Sequence, residues 1–210
     1  MSELGAGTRG SSLSYESILT ASHKAKSDFF IKNKPEEISN ENSALFLPVS
    51  SPYAKYIDFV SVMYDRISDK VKSTCLDKKI PVIISADHSN AGGTIAGLSK
   101  AYPNEKIGVV WIDAHADLHS PYTTPSGNIH GMPLATALAE DNTSSKLNEV
   151  DKNTIEKWEK LKGDSQRVMP EHIIFFGVRD TEKQEDELIE RLNMKIFSVS
   201  DVRENGETKC

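Results

Sequence analysis

The sequence predicts an α/β fold built on a parallel sheet, and three observations carry the prediction. Short apolar runs at residues 81–85, 107–112, 172–177 and 195–199 are rich in Val, Ile and Phe. Such runs suit strands buried on both faces. Stretches with three- and four-residue apolar spacing lie between them, as helices joining parallel strands would. Ligand-type side chains follow directly after the apolar runs, where sheets of this class bind ligands. One domain over residues 1–210 is expected.

Taken in order, the first dozen residues are rich in Gly and Ser and read as a loop. Residues 14–26 place Ile18, Leu19, Ala21 and Ala25 at helical spacing. Residues 32–43 are polar, contain Pro35 and read as a surface connection. Residues 53–71 carry Tyr56, Val60, Met63, Tyr64, Ile67 and Val71, the stripe of an amphipathic helix. The run Pro81-Val-Ile-Ile-Ser85 is the first strand. A helix over 91–102 ends at Pro103-Asn104. Its Gly92, Gly93 and Gly97 complete neither nucleotide-binding fingerprint and read as a helix packed closely beneath the preceding loop. Residues 107–112 form the second strand, and 132–140 a helix. The polar stretch 141–167 holds a helical piece around 155–161. Residues 172–177 are a strand, 182–192 a helix and 195–199 a strand.

Composition narrows the class. The chain has 210 residues, 38% hydrophobic and 27% charged, enough for one sizeable core. A net charge of -6 supplies no phosphate-neutralising surface, so no nucleic-acid partner is expected. No apolar run nears the ~18 residues of a membrane span. The start lacks the charged and apolar regions of a signal peptide. Two cysteines, Cys75 and Cys210, make no disulfide framework, and a cytoplasmic location is expected.

The chemistry-bearing residues sit at strand ends. In extended backbone, alternate side chains point the same way, so Asp113, His115 and Asp117 converge with small alanines between them. Asp87-His88-Ser89 follows the first strand and should lie at the same sheet edge. Imidazole with carboxylate suits a divalent ion such as Mn or Zn, and no thiolate is nearby. The residues alone leave other readings open. His88 also fits a hydrogen-bonded histidine, Asp113–Asp117 a solvated loop, and His130 a histidine packed between glycines. Glu182 and Glu185 also fit an acidic helix start.

Ser85-Ala-Asp-His-Ser89, Asp113-Ala-His-Ala-Asp117 and Ser126-Gly-Asn-Ile-His-Gly-Met132 resemble, in order and spacing, motifs of the ureohydrolases. That family includes arginase, agmatinase and formimidoylglutamase. The resemblance implies a three-layer α/β/α fold with a mostly parallel sheet, here incomplete. It implies two Mn ions, one held by His88, Asp113 and Asp117 and the other by His115 and bridging Asp113. It also implies hydrolysis of a C–N bond in a guanidino substrate by water activated between the ions, with His130 as proton shuttle. Ser126 and Asn128 match positions that hold an α-carboxylate in arginase. Glu182 and Glu185 match a segment that contacts the α-amino group, which favours L-arginine, giving L-ornithine and urea. Agmatine and formimidoylglutamate are the alternative substrates. Family members are usually homo-oligomers.

Two departures stand inside the motifs. Ser85-Ala86 replaces two glycines, and His119 stands where arginases often have Asn, as a substrate contact or a further metal ligand. A larger one is that no Asp-x-Asp occurs, whereas the family's second metal motif is Asp-x-Asp-x-x-Asp-Pro. The chain therefore reads as truncated at both ends. Two dications carry about four positive charges, and Asp113 and Asp117 return only two negative ones. Weak metal binding, poor folding and no activity are expected of these residues alone. A non-catalytic interaction form and a mononuclear hydrolase are the competing readings.

Overall fold

The computed structural model describes residues 1–206, excepting the side chain of Asn205; Cys210 lies outside them. Eight helices and three strands succeed one another among the described residues. They are α1 (Ser14–Lys24), α2 (Phe29–Lys32), α3 (Ile57–Leu76), α4 (Asn90–Ala101), β1 (Val109–Ile112), α5 (Pro133–Leu138), α6 (Lys152–Lys162), β2 (Ile173–Phe176), α7 (Lys183–Arg191), β3 (Lys195–Phe197) and α8 (Val199–Asn205).

The strands form one parallel sheet in the order β1-β2-β3. Val109 pairs with Ile173 and Ile112 with Phe176, while Phe176 pairs with Phe197. Central β2 sends Ile173 and Phe175 into a core with Leu118, Leu134 and Leu188. Its Phe176 points the other way and stacks on Phe197, with ring centroids 4.9 Å apart. A second core gathers the apolar stripe of α3 around Trp158, Ile129 and Met132. The stripe lies where its spacing predicts, with Val60, Met63, Tyr64, Ile67 and Val71 all buried. The helix begins later than the sequence suggests, because Tyr56 adopts a left-handed conformation, and runs on to Leu76.

The expected strand at 81–85 does not form. The segment pairs with no strand among the described residues, and Ile80 and Val82 are 89% and 72% exposed. β-Branched composition records fitness for a pleated, covered surface, and a strand exists only where a neighbour supplies the ladder. The three other runs do form strands, each shorter than its apolar run. Helix α8 follows β3 unanticipated, although Ser198 and Asp201 form a reciprocal capping box at its start.

Helix α4 packs along α3, and its glycines set the closeness. A Cβ on Gly97 would stand 2.7 Å from the Ser68 carbonyl oxygen and from Val71 Cβ. One on Gly92 would stand 2.1 Å from the Tyr64 hydroxyl. Close packing beneath the His88 loop, rather than phosphate binding, is what these glycines serve. Gly97→Ala gains about 1 kcal/mol in helix propensity but meets an immovable carbonyl. A net loss of about 1–3 kcal/mol is expected, measured as a lower urea midpoint with unchanged slope.

Candidate metal centre

The end of β1 and the loop before α4 bring His88, Asp113 and Asp117 together, with one ligand atom from each within 4.8 Å of the others. His88 Nδ1 donates to Asp117 Oδ2 at 3.0 Å. The same nitrogen is 2.8 Å from Asp113 Oδ2, an oxygen that is buried and accepts no hydrogen bond. Trp111 fixes the imidazole from the side, edge to face at 5.6 Å. The hydrogen bond donated to Asp117 raises the His88 pKa above the ordinary histidine value against the opposing effect of burial, and both carboxylates add to the rise.

His115 lies on the other side of Asp113. Its Nδ1 is 3.4 Å from Asp113 Oδ1 and its Nε2 is 3.5 Å from Asp180 Oδ2. The Asp113 carboxylate thus stands between two imidazoles, one oxygen towards each. Asp117 reaches the cluster through a strained backbone, with φ at +51°. Aspartate tolerates this region better than most residues, and such strain concentrates at functional sites.

Asp87 is not part of the cluster, because its oxygens are already used. Oδ1 accepts from the Ser89 amide and hydroxyl, and Oδ2 accepts from the Gly5 amide at 3.0 Å. The Gly5 carbonyl in turn accepts from the His130 amide at 3.1 Å. The N-terminal loop therefore ties the His88 loop to the His130 turn. A Cβ on Gly5 would stand 2.5 Å from Asp87 Oδ1 and Ser89 Oγ. Gly5 and Asp180 escaped the sequence reading. The glycine-rich start was the available sign of the first, and nothing local marks the second.

His130 is exposed on a short turn, Ile129–Gly131. Ser126 is exposed and Asn128 half-buried on the loop leading to it, where the Ser126 hydroxyl accepts from the Asn128 amide. His119, Glu182 and Glu185 form a second cluster. His119 Nε2 lies 3.0 Å from Glu182 Oε2 and 3.6 Å from Glu185 Oε2, and its Nδ1 is 3.2 Å from Thr123 Oγ1. Glu182 and Glu185 also make the capping box of α7. Glu185 Oε1 accepts from the Leu118 amide at 3.0 Å, joining α7 to the loop after β1. Burial works to raise the Glu182 pKa, but hydrogen bonds from His119 and Glu185 outweigh it and hold the group below the usual value. Glu185 is pushed up to about 8, chiefly by burial.

That shift has a sign for stability. Folded Glu185 keeps its proton where the unfolded chain has lost it. Its contribution is complete below the ordinary carboxylate range and disappears as pH rises through about 8. Glu185→Gln mimics the protonated form and keeps an acceptor for the Leu118 amide. The variant should therefore match the parent near pH 5 and exceed it above pH 8 by at most a few kcal/mol, on the order of the linkage term. Thermal unfolding of both proteins across that range checks it. Titrating groups that do not touch Glu185, His88 included, cancel in the difference.

A sequence model of the Arginase family matches residues 2–210. The Bacillus subtilis arginase is 34% identical over 155 residues, 74% of this chain and 47% of that one. The Bacillus caldovelox arginase is 36% identical over 145 residues, 69% of this chain and 44% of that one. The chain spans about half the length of the curated relatives it matches. Among solved structures, a Bacillus subtilis arginase superposes with a TM-score of 0.73 at 28% identity, covering 99% of this chain and 64% of that one. A formimidoylglutamase at 19% identity and a TM-score of 0.53 shares the fold. With the strand-end cluster and the parallel sheet, these matches identify the chain as a member of the arginase family.

Proposed function

We propose that these residues are one side of a binuclear manganese centre for hydrolysis of a guanidino substrate, L-arginine to L-ornithine and urea. The observation that carries this reading is the Asp113 carboxylate, with Oδ2 towards His88 and Oδ1 towards His115. A carboxylate so placed would serve an ion on either side. The donor set fits as well, since imidazole with carboxylate suits Mn and Asp113 Oδ2 is buried without a hydrogen bond, leaving a lone pair for an ion. His88, Asp113 and Asp117 would hold one ion, and His115 with Asp113 the other. When bound, such a pair supplies ionised water near neutral pH and polarises the guanidinium group.

The chain's own groups do the rest. Asp113 and Asp117, both nearly buried, hold the positive charge at the strand end. His130, free at its ring and anchored at its amide by Gly5, delivers a proton to the departing amine. Ser126 and Asn128 bind the α-carboxylate through neutral donors. Glu182 takes the α-ammonium group with its outer carboxylate face, while His119 and Glu185 fix it from behind. Support for an amino-acid substrate comes from the relatives. The named curated relatives are arginases, and the Entamoeba histolytica arginase, 28% identical at a TM-score of 0.61, was solved with L-ornithine.

Two carboxylates only half offset two dications, so the two ions should bind unequally. Calorimetric titration of the chain with Mn should resolve one stronger and one much weaker site. Asp113→Asn should weaken both by more than about 100-fold, beyond the loss typical of an outer-shell residue. His115→Ala should affect only the weaker one. Urea release by these residues alone should be slight or absent, and any that is measured should require Mn and favour L-arginine over agmatine. Mn binding untouched by Asp113→Asn would overturn the reading.

A further inference from the structure

The turn that carries His130 is strung between the two loops that carry His88 and Asp117. On one side the His130 amide donates to the Gly5 carbonyl at 3.1 Å. The Gly5 amide in turn donates to Asp87 Oδ2 at 3.0 Å, and Asp87 is the residue before His88. On the other side the His119 amide donates to the Gly131 carbonyl at 3.0 Å, and the Leu134 amide to the Asp117 carbonyl at 3.2 Å. His88 and Asp117 themselves meet at 3.0 Å, which closes the circuit. Asp87 is buried, and its Oδ1 accepts from the Ser89 amide and hydroxyl at 2.8 and 2.5 Å. Its carbonyl accepts from Ser85 Oγ at 2.9 Å. The N-terminal loop is fixed as well. Leu4 is buried, and Oε1 of buried Glu3 accepts from the Gly10 and Ser12 amides at 2.7 and 2.8 Å. His130 itself is exposed, so its backbone is tied while its ring faces water.

We propose that Asp87 is a positioning residue for His130. Through Gly5 it sets where the His130 ring stands relative to His88, Asp113 and Asp117. The assignment rests on the reading of His130 as the proton donor. Asp87 touches neither substrate nor ion, because its oxygens are taken. Its carboxylate suits the task, since it accepts from three donors at once, two on Ser89 and one on Gly5. A proton donor must stand within hydrogen-bond reach of the group it serves, and a small misplacement set far from the chemistry is costly. Asparagine is the informative replacement. It has the same shape but only one acceptor oxygen. Two Ser89 donors outweigh one, so the new amide nitrogen turns to the Gly5 N–H, donor against donor. Gly5→Ala breaks the same link from the other partner, because its Cβ would stand 2.5 Å from Asp87 Oδ1. Ser89→Ala removes a different donor and leaves the link between Gly5 and Asp87 in place.

The test follows the full chain and these three variants by NMR. Exchange of the His130 amide with solvent should quicken about 10-fold or more in Asp87→Asn and Gly5→Ala, and less than about 3-fold in Ser89→Ala. Amides of α3 should exchange as in the parent, which shows that a variant is folded. Should Gly5→Ala lose that protection, Asp87→Asn decides. Traces of Mn then report distance, because the ion broadens ring protons steeply with proximity. The ratio of His130 to His115 broadening should fall several-fold in Asp87→Asn and Gly5→Ala and hold in Ser89→Ala. Loss of stability alone leaves that ratio unchanged. Unchanged exchange at His130, quicker exchange with an unchanged ratio, or Ser89→Ala behaving like Asp87→Asn would each overturn the proposal. If Mn broadens no histidine of the parent, the binuclear reading falls and exchange alone decides the positioning. An inactive chain with these responses intact counts against the catalytic role of His130 alone.

Discussion

Two carboxylates held at one point repel each other unless positive charge lies between them, and the architecture around β1 answers to that constraint. Asp113 and Asp117 both approach His88 Nδ1, at 2.8 and 3.0 Å. The raised His88 pKa follows from those neighbouring carboxylates, which favour the protonated imidazole against the opposing effect of burial. The geometry is imposed from outside the cluster. Asp87 spends its own charge on Ser89 and Gly5, which anchors the His88 loop without adding a third free carboxylate. Asp117 accepts a left-handed backbone so that its side chain turns back towards Asp113. The alanines between the ligands leave room for both movements.

The same constraint recurs at α7 with a different answer. Glu182 and Glu185 sit at a helix start, where unpaired amides favour negative charge. His119 adds one ring N–H to the pair. That suffices for half-exposed Glu182 but not for buried Glu185, which retains a proton instead. Glu185 is therefore as much a structural clamp, through the Leu118 amide, as a charge. Because Leu118 directly follows Asp117, the clamp holds the backbone that presents the Asp117 carboxylate. The two carboxylate clusters are mechanically joined through one residue of chain.

How much of this was legible in the sequence follows from range. Local signals held. The α3 stripe and the run that became β2 are periodicities of a few residues, and each formed close to where it was read. Asp113 and Asp117 do meet, but through bends after β1 and a left-handed Asp117 rather than through extended backbone, and the outer nitrogen of His115 turns to Asp180 instead. The site was likewise legible where strand ends meet, so His88 joins Asp113 and Asp117 across a long gap in sequence. What failed depends on partners elsewhere. The run at 81–85 has strand composition and no ladder. Gly5 acts through two hydrogen bonds to distant loops that no local pattern announces. His119 appeared only as a departure from a motif, and its meeting with Glu182 and Glu185 needed the fold.

The unpaired run and the half-built charge balance belong to one physical situation. A parallel sheet gathers ligands at its carboxyl edge only from strands that are present and in register. β1 and β2 are in register, and their ends carry Asp113 and Arg179-Asp180. Residues 80–85 approach the same edge, since His88 reaches Asp117, yet the space beside β1 is open. The polar end of the cleft is thus pinned by ion pairs while its apolar length faces water. Ion pairs of a half-exposed imidazole contribute little by themselves. Apolar wall area returned to water costs roughly 25 cal/mol for each Å². The balance therefore sets the polar tether of the His88 loop against the cost of its exposed apolar run.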